Sequence, residues 1–344
     1  DISAPSGKPL TSLALNESAM SPSPEAVTAG AEALASGQLY AEQDWPMLRK
    51  EIASVHGLNP ADILCAGGSM ALIETTIRCF AGPDDQVLAS QYAYAFLRVA
   101  TLAAGAEYNS APEADFTVSV DALIEAINPS TRMVCLVNPG NPTGTRISKG
   151  EVVRLRDGLS DDILLLIDEA YGEFTDEPDE RTFDLTERGN TVILRTFSKA
   201  YGLAGMRVGW GLYPPALVSE MYKLLGGNTV SVASEAAAAA AMRDQAYLQQ
   251  VCSETSRRCQ KFTNQLQGMG FVVPESHTNF VLIVFASRTA AEAADQMLRA
   301  EGYVLRGMGL YGLPQCLRAT IGDEQDMDAV AELLDAWLRE GNNS

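Results

Sequence analysis

Thr191-Val192-Ile193-Leu194-Arg195-Thr196-Phe197-Ser198-Lys199-Ala200-Tyr201-Gly202-Leu203-Ala204-Gly205-Met206-Arg207-Val208-Gly209-Trp210 is a short strand-like run, then a lysine, then a loop punctuated by glycines. With Thr191–Thr196 as a strand, Lys199 falls at its carboxyl end, where open α/β sheets hold their ligands. A lysine there can form an imine once burial or nearby positive charge lowers its pKa. Ser198 and Arg207 lie within reach of the same loop and would suit a phosphate. A lone lysine is more often a solvated surface amine. The glycine-rich setting, in a chain with few lysines, weighs against that reading here.

Working outward, three more segments follow strand-like runs. Asn138-Pro139-Gly140-Asn141-Pro142-Thr143-Gly144 follows Met133–Val137, and two Asn-Pro steps so close together are more than a turn requires. Asp168-Glu169-Ala170-Tyr171 closes the apolar run Ile163–Ile167. A carboxylate there is costly to desolvate unless a cation meets it, although an N-cap aspartate is the plainer alternative. Ala66-Gly67-Gly68-Ser69-Met70-Ala71-Leu72-Ile73-Glu74 is a strand turning through glycines into a helix whose first N–H groups suit phosphate, or is simply a tight turn.

Strand-like runs at Ile63–Ala66, Gln86–Ser90, Met133–Asn138, Ile163–Asp168, Thr191–Thr196 and Arg207–Leu212 alternate with helical stretches. Continuous apolar strands suit a parallel sheet between helices, so the fold class is α/β. Helices are expected over Glu25–Gly37 and Met47–His56. After about Ala246 the texture changes: a polar helix, Tyr247–Met269, precedes β-like runs at Phe271–Val273, Asn279–Phe285, Tyr303–Arg306 and Cys316–Ile321, then a terminal helix, Asp326–Glu340. That is the pattern of a smaller α+β domain. The expected division is an arm over 1–30 packing with the small domain, a large domain over 31–245 and the small domain over 246–344.

The 344 residues carry 25 Lys+Arg against 44 Asp+Glu, a formal net charge of −19, which disfavours nucleic acid and leaves an anionic substrate to locally placed arginines. No apolar run is long enough to span a membrane. Only two histidines, His56 and His277, make a histidine zinc site or a Ser-His-Asp triad implausible, and no metal is expected. The six cysteines show no CxxC spacing and no disulfide framework.

In order and spacing the four segments resemble the fold-type-I pyridoxal-phosphate aminotransferases of classes I and II, nearest the histidinol-phosphate aminotransferase-like branch. The resemblance runs from Leu15-Asn16-Glu17-Ser18 to Arg318-Ala319-Thr320-Ile321-Gly322. It implies a large domain with a mostly parallel seven-stranded sheet, a smaller α+β domain, and pyridoxal 5'-phosphate held as a Schiff base on Lys199. By the same resemblance Asp168 pairs with the pyridine nitrogen, keeping the ring an electron sink. Asn141 and Tyr171 bind the ring's phenolic oxygen, and Tyr92, in Gln91-Tyr92-Ala93-Tyr94, stacks on the ring. Ser69 and Met70 (through their backbone), Ser198 and Arg207 form the phosphate cup. Tyr40 reaches the phosphate of the other subunit in a homodimer. Arg318 grips the substrate's α-carboxylate, a bidentate task suited to a guanidinium.

Departures from that branch bear on the substrate. Its Asn-Glu-Asn-Pro-like arm reads Asn16-Glu17-Ser18-Ala19-Met20 here, and Lys8 is the one basic residue upstream of it. The expectation is therefore a homodimeric transaminase acting on glutamate or a glutamyl-containing compound and a keto acid. The alternatives are a histidinol-phosphate aminotransferase, a pyridoxal-phosphate lyase or decarboxylase, and, from another class, an aminotransferase-like regulator, for which length and charge leave little room. The opening Asp1-Ile2-Ser3-Ala4-Pro5-Ser6-Gly7-Lys8-Pro9 reads as a mature end left by signal cleavage. It is similar to secreted members of the branch, including periplasmic transaminases that modify siderophores such as pyoverdine. Export of the folded enzyme behind a twin-arginine signal is expected on that reading, with a cytoplasmic enzyme as the alternative.

Overall fold

A computed structural model describes residues 7–175 and 177–341. The part of the proposed mature end that falls on residues 1–6 lies outside them.

The large domain is built on a seven-stranded sheet. Its strands are β1 (Ile63–Ala66), β2 (Gln86–Ser90), β3 (Glu107–Ala111), β4 (Thr131–Val137), β5 (Leu164–Asp168), β6 (Thr191–Thr196) and β7 (Gly209–Leu212). Their spatial order is β1-β7-β6-β5-β4-β2-β3. β2 to β6 run parallel, and β7 is antiparallel to both of its neighbours. Every residue of β1, β2, β5, β6 and β7 is buried, which is why the centres of these strands read as continuous apolar runs rather than alternating ones. The edge strand β3 is polar and partly exposed, so it carried no such signal.

A run of six alanines, Ala236–Ala241, lies in a helix, Val232–Arg243, buried on nearly all sides. Small side chains there let the helix Pro24–Ala33 come close: a Cβ on Gly30 would sit 3.2 Å from Ala237 Cβ. The expected arm is thus divided between the domains. Thr11–Ser12 pairs with Tyr303–Val304 and Leu13 joins the small-domain core, whereas Pro24–Ala33 packs on the large domain.

The small domain holds a three-stranded antiparallel sheet in the order Phe280–Val284, Cys316–Thr320, Arg306–Gly307. The helices Gln245–Gly268, Arg288–Ala300 and Glu324–Arg339 pack with it around Phe262, Leu298, Leu334 and Trp337. Two expected strands come out differently. Phe271–Val273 contributes a single bridge, Val272 to Val284. Tyr303–Arg306 breaks into two short pieces that pair with different partners, one with the arm and one with Cys316–Thr320.

Candidate active site

The register of the parallel strands brings the sequence motifs to one edge. Val137 pairs with Asp168 and Asp168 with Leu194, so β4, β5 and β6 end nearly level. The loops that leave them open on a common cleft of about 280 Å³. Asn138 holds its own loop together: its Nδ2 donates to Ile147 O at 3.0 Å and Ile147 N donates to its Oδ1 at 2.9 Å. Asn141 instead lines the cleft. Both Asn-Pro peptides of this loop, Asn138-Pro139 and Asn141-Pro142, are cis.

Asp168 is buried, and the hydrogen bond that accompanies it is from Ala170 N at 3.2 Å. Burial pushes its carboxyl up to about 7, further than Lys199 and that hydrogen bond pull it down. Lys199 also lines the cleft, and burial, reinforced by Arg318, brings its ammonium down to about 8. Its Nζ donates to the carbonyls of Asn16, at 3.1 Å, and Leu15, at 3.3 Å. An amine brought near neutrality in a cleft is a competent nucleophile and base. Behind the Asp168–Tyr171 turn, Arg195 pairs with Glu169 at 2.8 Å, and a Cβ on Gly172 would lie 2.6 Å from its guanidinium carbon. The turn is thus clamped from below.

At the other end of the cleft the helix Ser69–Phe80 presents its N-terminus, with Gly68 as N-cap and no side-chain cap. The first N–H groups of such a helix are free for an anion. Arg207 Nη1 donates to Ser198 Oγ at 3.3 Å and to Ala204 O at 3.1 Å. Glycines are required here because the approaches are close. A Cβ on Gly68 would meet Arg207 Nη2 at 2.5 Å, and one on Gly209 would meet Ser69 N at 2.3 Å.

The small domain and the arm close the remaining sides. Arg318 is buried, with Nη1 donating to Asn141 Oδ1 at 2.5 Å and Nη2 to Ala14 O at 2.9 Å. Among the described residues its buried Nε has no hydrogen-bond partner. Arg306 stands opposite Arg318 in the strand register and lines the same cleft. Among the described residues it has no ion-pair partner.

Of the residues expected from sequence, Lys199, Asp168, Asn141, Tyr171, Ser69, Met70, Ser198, Arg207 and Arg318 all line this one cleft. Tyr92 does not. It packs against Phe116, ring centroids 6.2 Å apart, and on a small cluster with Leu282 and Met308. Tyr94 lines the cleft in its place, with its phenol pushed up to about 12 by burial and the nearby Asp168. The chain turns after β2, with Ala93 N donating to Ser90 O, so the two tyrosines, which a continued strand would put on one face, point to different surroundings. Tyr40 is not among the residues that line the cleft within this chain and is 89% exposed. Arg306, Tyr311 and Asn16 join the site without having been singled out. For Arg306 the available signal was its place at the end of the β-like run Tyr303–Arg306. Asn16 gave none.

The donor set matches a ligand with three features. A phosphate suits the Ser69 helix end and Arg207, a cationic ring nitrogen suits the costly Asp168 carboxylate, and a carbonyl suits Lys199. These are the features of pyridoxal 5'-phosphate. Residues 8–334 match the family model for aminotransferase class I and II. The chain is 40% identical to a histidinol-phosphate aminotransferase of Ruegeria sp. (strain TM1040), over 94% of this chain and 89% of that one. It is 38% identical to one of Rhodospirillum centenum (strain ATCC 51521 / SW), over 98% and 94%. The crystal structure of the Sinorhizobium meliloti histidinol-phosphate aminotransferase with pyridoxal-5'-phosphate superposes with a TM-score of 0.91 at 28% identity, covering 97% of this chain and 92% of that one.

Proposed function

We propose, of a chain that belongs to the class I and II aminotransferase family and is a pyridoxal-phosphate-dependent transaminase, that its amino donor is histidinol phosphate and its acceptor a 2-oxo dicarboxylate. The relatives favour this donor over the glutamyl compound that the short arm had suggested. They are named for histidinol phosphate rather than for a siderophore, so the siderophore reading is not pursued. Lys8, the one basic residue of the arm, is paired with Glu301 at 2.5 Å and is not among the residues that line the cleft.

The observation that carries the proposal is the pair Arg306 and Arg318. Two guanidiniums share a cleft in a chain of net charge −19, and neither has a carboxylate partner among the described residues. An anionic substituent relieves their repulsion. A phosphate monoester on the donor, and a carboxylate on the acceptor, could use the same two groups in turn.

Bound in the cleft, pyridoxal phosphate supplies an electron-withdrawing ring that makes the substrate's Cα–H acidic. The chain does the rest. The Ser69–Met70 amides, Ser198 and Arg207 would hold the phosphate. Asp168 would meet the ring nitrogen and keep a proton there, and Tyr94 would offer its aromatic face to the ring. Asn141 and Tyr171 would bind the phenolic oxygen. Lys199 Nζ, neutral in good part near pH 8, would be the base that takes the Cα proton and gives it back. Tyr40, with Leu39 and Leu34 exposed beside it, would be covered by a second copy and serve that copy's phosphate.

A spectral screen of amino donors tests the substrate. Histidinol phosphate should convert bound cofactor to its amine form at lower concentration than histidinol or glutamate. Arg306→Ala should raise KM for histidinol phosphate by about tenfold or more while leaving histidinol nearly unaffected. A better response to glutamate or a glutamyl compound would return the reading to the earlier expectation.

A further inference from the structure

Asn16 sits in the arm at φ +56°, a left-handed backbone that asparagine tolerates better than most residues, and only 1% of it is exposed. Each of its polar atoms is engaged. Its backbone N–H donates to Thr320 Oγ1 at 2.9 Å, and the Thr320 hydroxyl donates to Asn16 Oδ1 at 3.2 Å. Its carbonyl accepts from Asn279 Nδ2 and Lys199 Nζ, both at 3.1 Å. The remaining group, Nδ2, donates to Tyr171 Oη at 2.8 Å. Thr320 and Asn279 belong to the small domain, Tyr171 and Lys199 to the large one. A surface turn would use few of these contacts. Asn16 is a node between the arm, both domains and two groups of the cleft.

We propose that Asn16 is a positioning residue for the transaminase reaction: by donating to Tyr171 Oη it turns the tyrosine's own proton toward the cleft and strengthens its hydrogen bond to the ring oxygen of the bound cofactor. A phenolic oxygen that accepts a hydrogen bond on one side keeps its own hydrogen away from that side. It also becomes a better donor, because chains of hydrogen bonds polarise one another. The geometry favours this orientation of the amide, since the Thr320 hydroxyl, already accepting from Asn16 N, has its proton free for Oδ1. The other polar groups facing Tyr171 are Arg318, Asp168, Tyr94 and Lys199, whose Nζ lies 5.8 Å from the ring centroid. Of these only Lys199 also touches Asn16, and it does so at the backbone carbonyl, which a change of side chain retains. The inference rests on the cofactor and not on the donor, so failure of histidinol phosphate in the screen above leaves it standing.

The test is a pH titration of the visible absorbance of the holoenzyme with no amino donor present. The titrating proton is held on the Lys199 nitrogen and is attracted by the ring oxygen, so a weaker hydrogen bond to that oxygen raises the midpoint. Asn16→Gly keeps the left-handed backbone and removes the side chain. It should raise the midpoint by about half to one pH unit, the worth of one hydrogen bond. Tyr171→Phe should raise it further, and N16G added to Y171F should change nothing more. No shift in N16G, a fall in the midpoint (which would mean the amide accepts from Tyr171), or an equal shift with and without the Tyr171 hydroxyl overturns the proposal. Should N16G not give folded holoenzyme, Asn16→Ala, which also removes the amide and adds neither charge nor acceptor, goes through the same cycle. A rise in the midpoint that depends on the Tyr171 hydroxyl supports the proposal, and equal shifts with and without it overturn it.

Discussion

The Arg318 guanidinium donates to Asn141 Oδ1 at 2.5 Å, which joins a strand of the small domain to the Asn-Pro loop of the large one. The group expected to grip the substrate is therefore also a partner of a group expected to bind the ring oxygen. Arg318→Ala should raise KM for the 2-oxo acid acceptor by about 30-fold or more, the loss expected when one partner of a buried charge pair is removed. It should also move the absorbance of the bound cofactor, because Asn141 loses its donor. Steady-state kinetics and the resting spectrum check both, and an unchanged KM would make Arg318 structural.

Lys199→Ala should leave a folded protein without turnover, since no other lysine lines the cleft. Borohydride treatment of the parent should fix cofactor to the peptide containing Lys199, and that of the variant should not. Normal turnover in the variant would remove Lys199 from the mechanism.

Tyr94→Leu should weaken cofactor binding and slow turnover, whereas Tyr92→Leu should mainly lower the melting temperature through its packing with Phe116 and Leu282. Dialysis against buffer, followed by assay of retained cofactor, separates the two. The reverse pattern would restore Tyr92 as the stacking residue.

Asp168 carries a stability signature in the cofactor-free protein. Its folded pKa is raised from 3.8 to about 7, so the folded state binds more protons than the unfolded one between these values. The penalty is full above pH 7 and fades as pH falls toward the unfolded value. Cofactor-free Asp168→Asn should then be more stable than the parent at pH 8, by at most about 4 kcal/mol, with the advantage shrinking through pH 7 and gone near about pH 4. Its cofactor affinity and turnover should fall. Denaturant melts at several pH values check this, and a parent that is the more stable at pH 8 would contradict it.

If Tyr40 serves the other subunit, mixing should restore what each variant lacks. Tyr40→Ala and Lys199→Ala homodimers should each be weak or inactive. Refolded together, they should form mixed dimers in which one site has both native residues, recovering up to about a quarter of parental activity per subunit. No recovery, with mixed dimers shown to form, would put Tyr40 in its own site or none.

How much was legible follows from the range of the interaction concerned. β1, β2 and β6 have the bounds expected of them, because strands buried on both faces carry continuous apolar centres, flanked in β2 and β6 by buried polar residues. The motifs at Asn141, Asp168 and Lys199 were legible for a related reason: each follows such a strand, and parallel strands in register end together. The polar edge strand Glu107–Ala111 left no trace, since an exposed edge needs little apolar surface. Tyr92 was preferred over Tyr94 on the resemblance alone, because the two stand two residues apart in the turn after β2 and no local pattern tells them apart. Asn16 and Arg306 lay furthest from view. Their importance arises from contacts across hundreds of residues, Asn16 to Thr320 and Arg306 to the cleft, which no local pattern encodes. The sequence by itself thus determined the α/β scaffold and the strand-end chemistry, which depend on burial and local backbone preference. Only the tertiary structure decided which tyrosine faces the cleft and how the arm joins the two domains, because those depend on where distant segments meet.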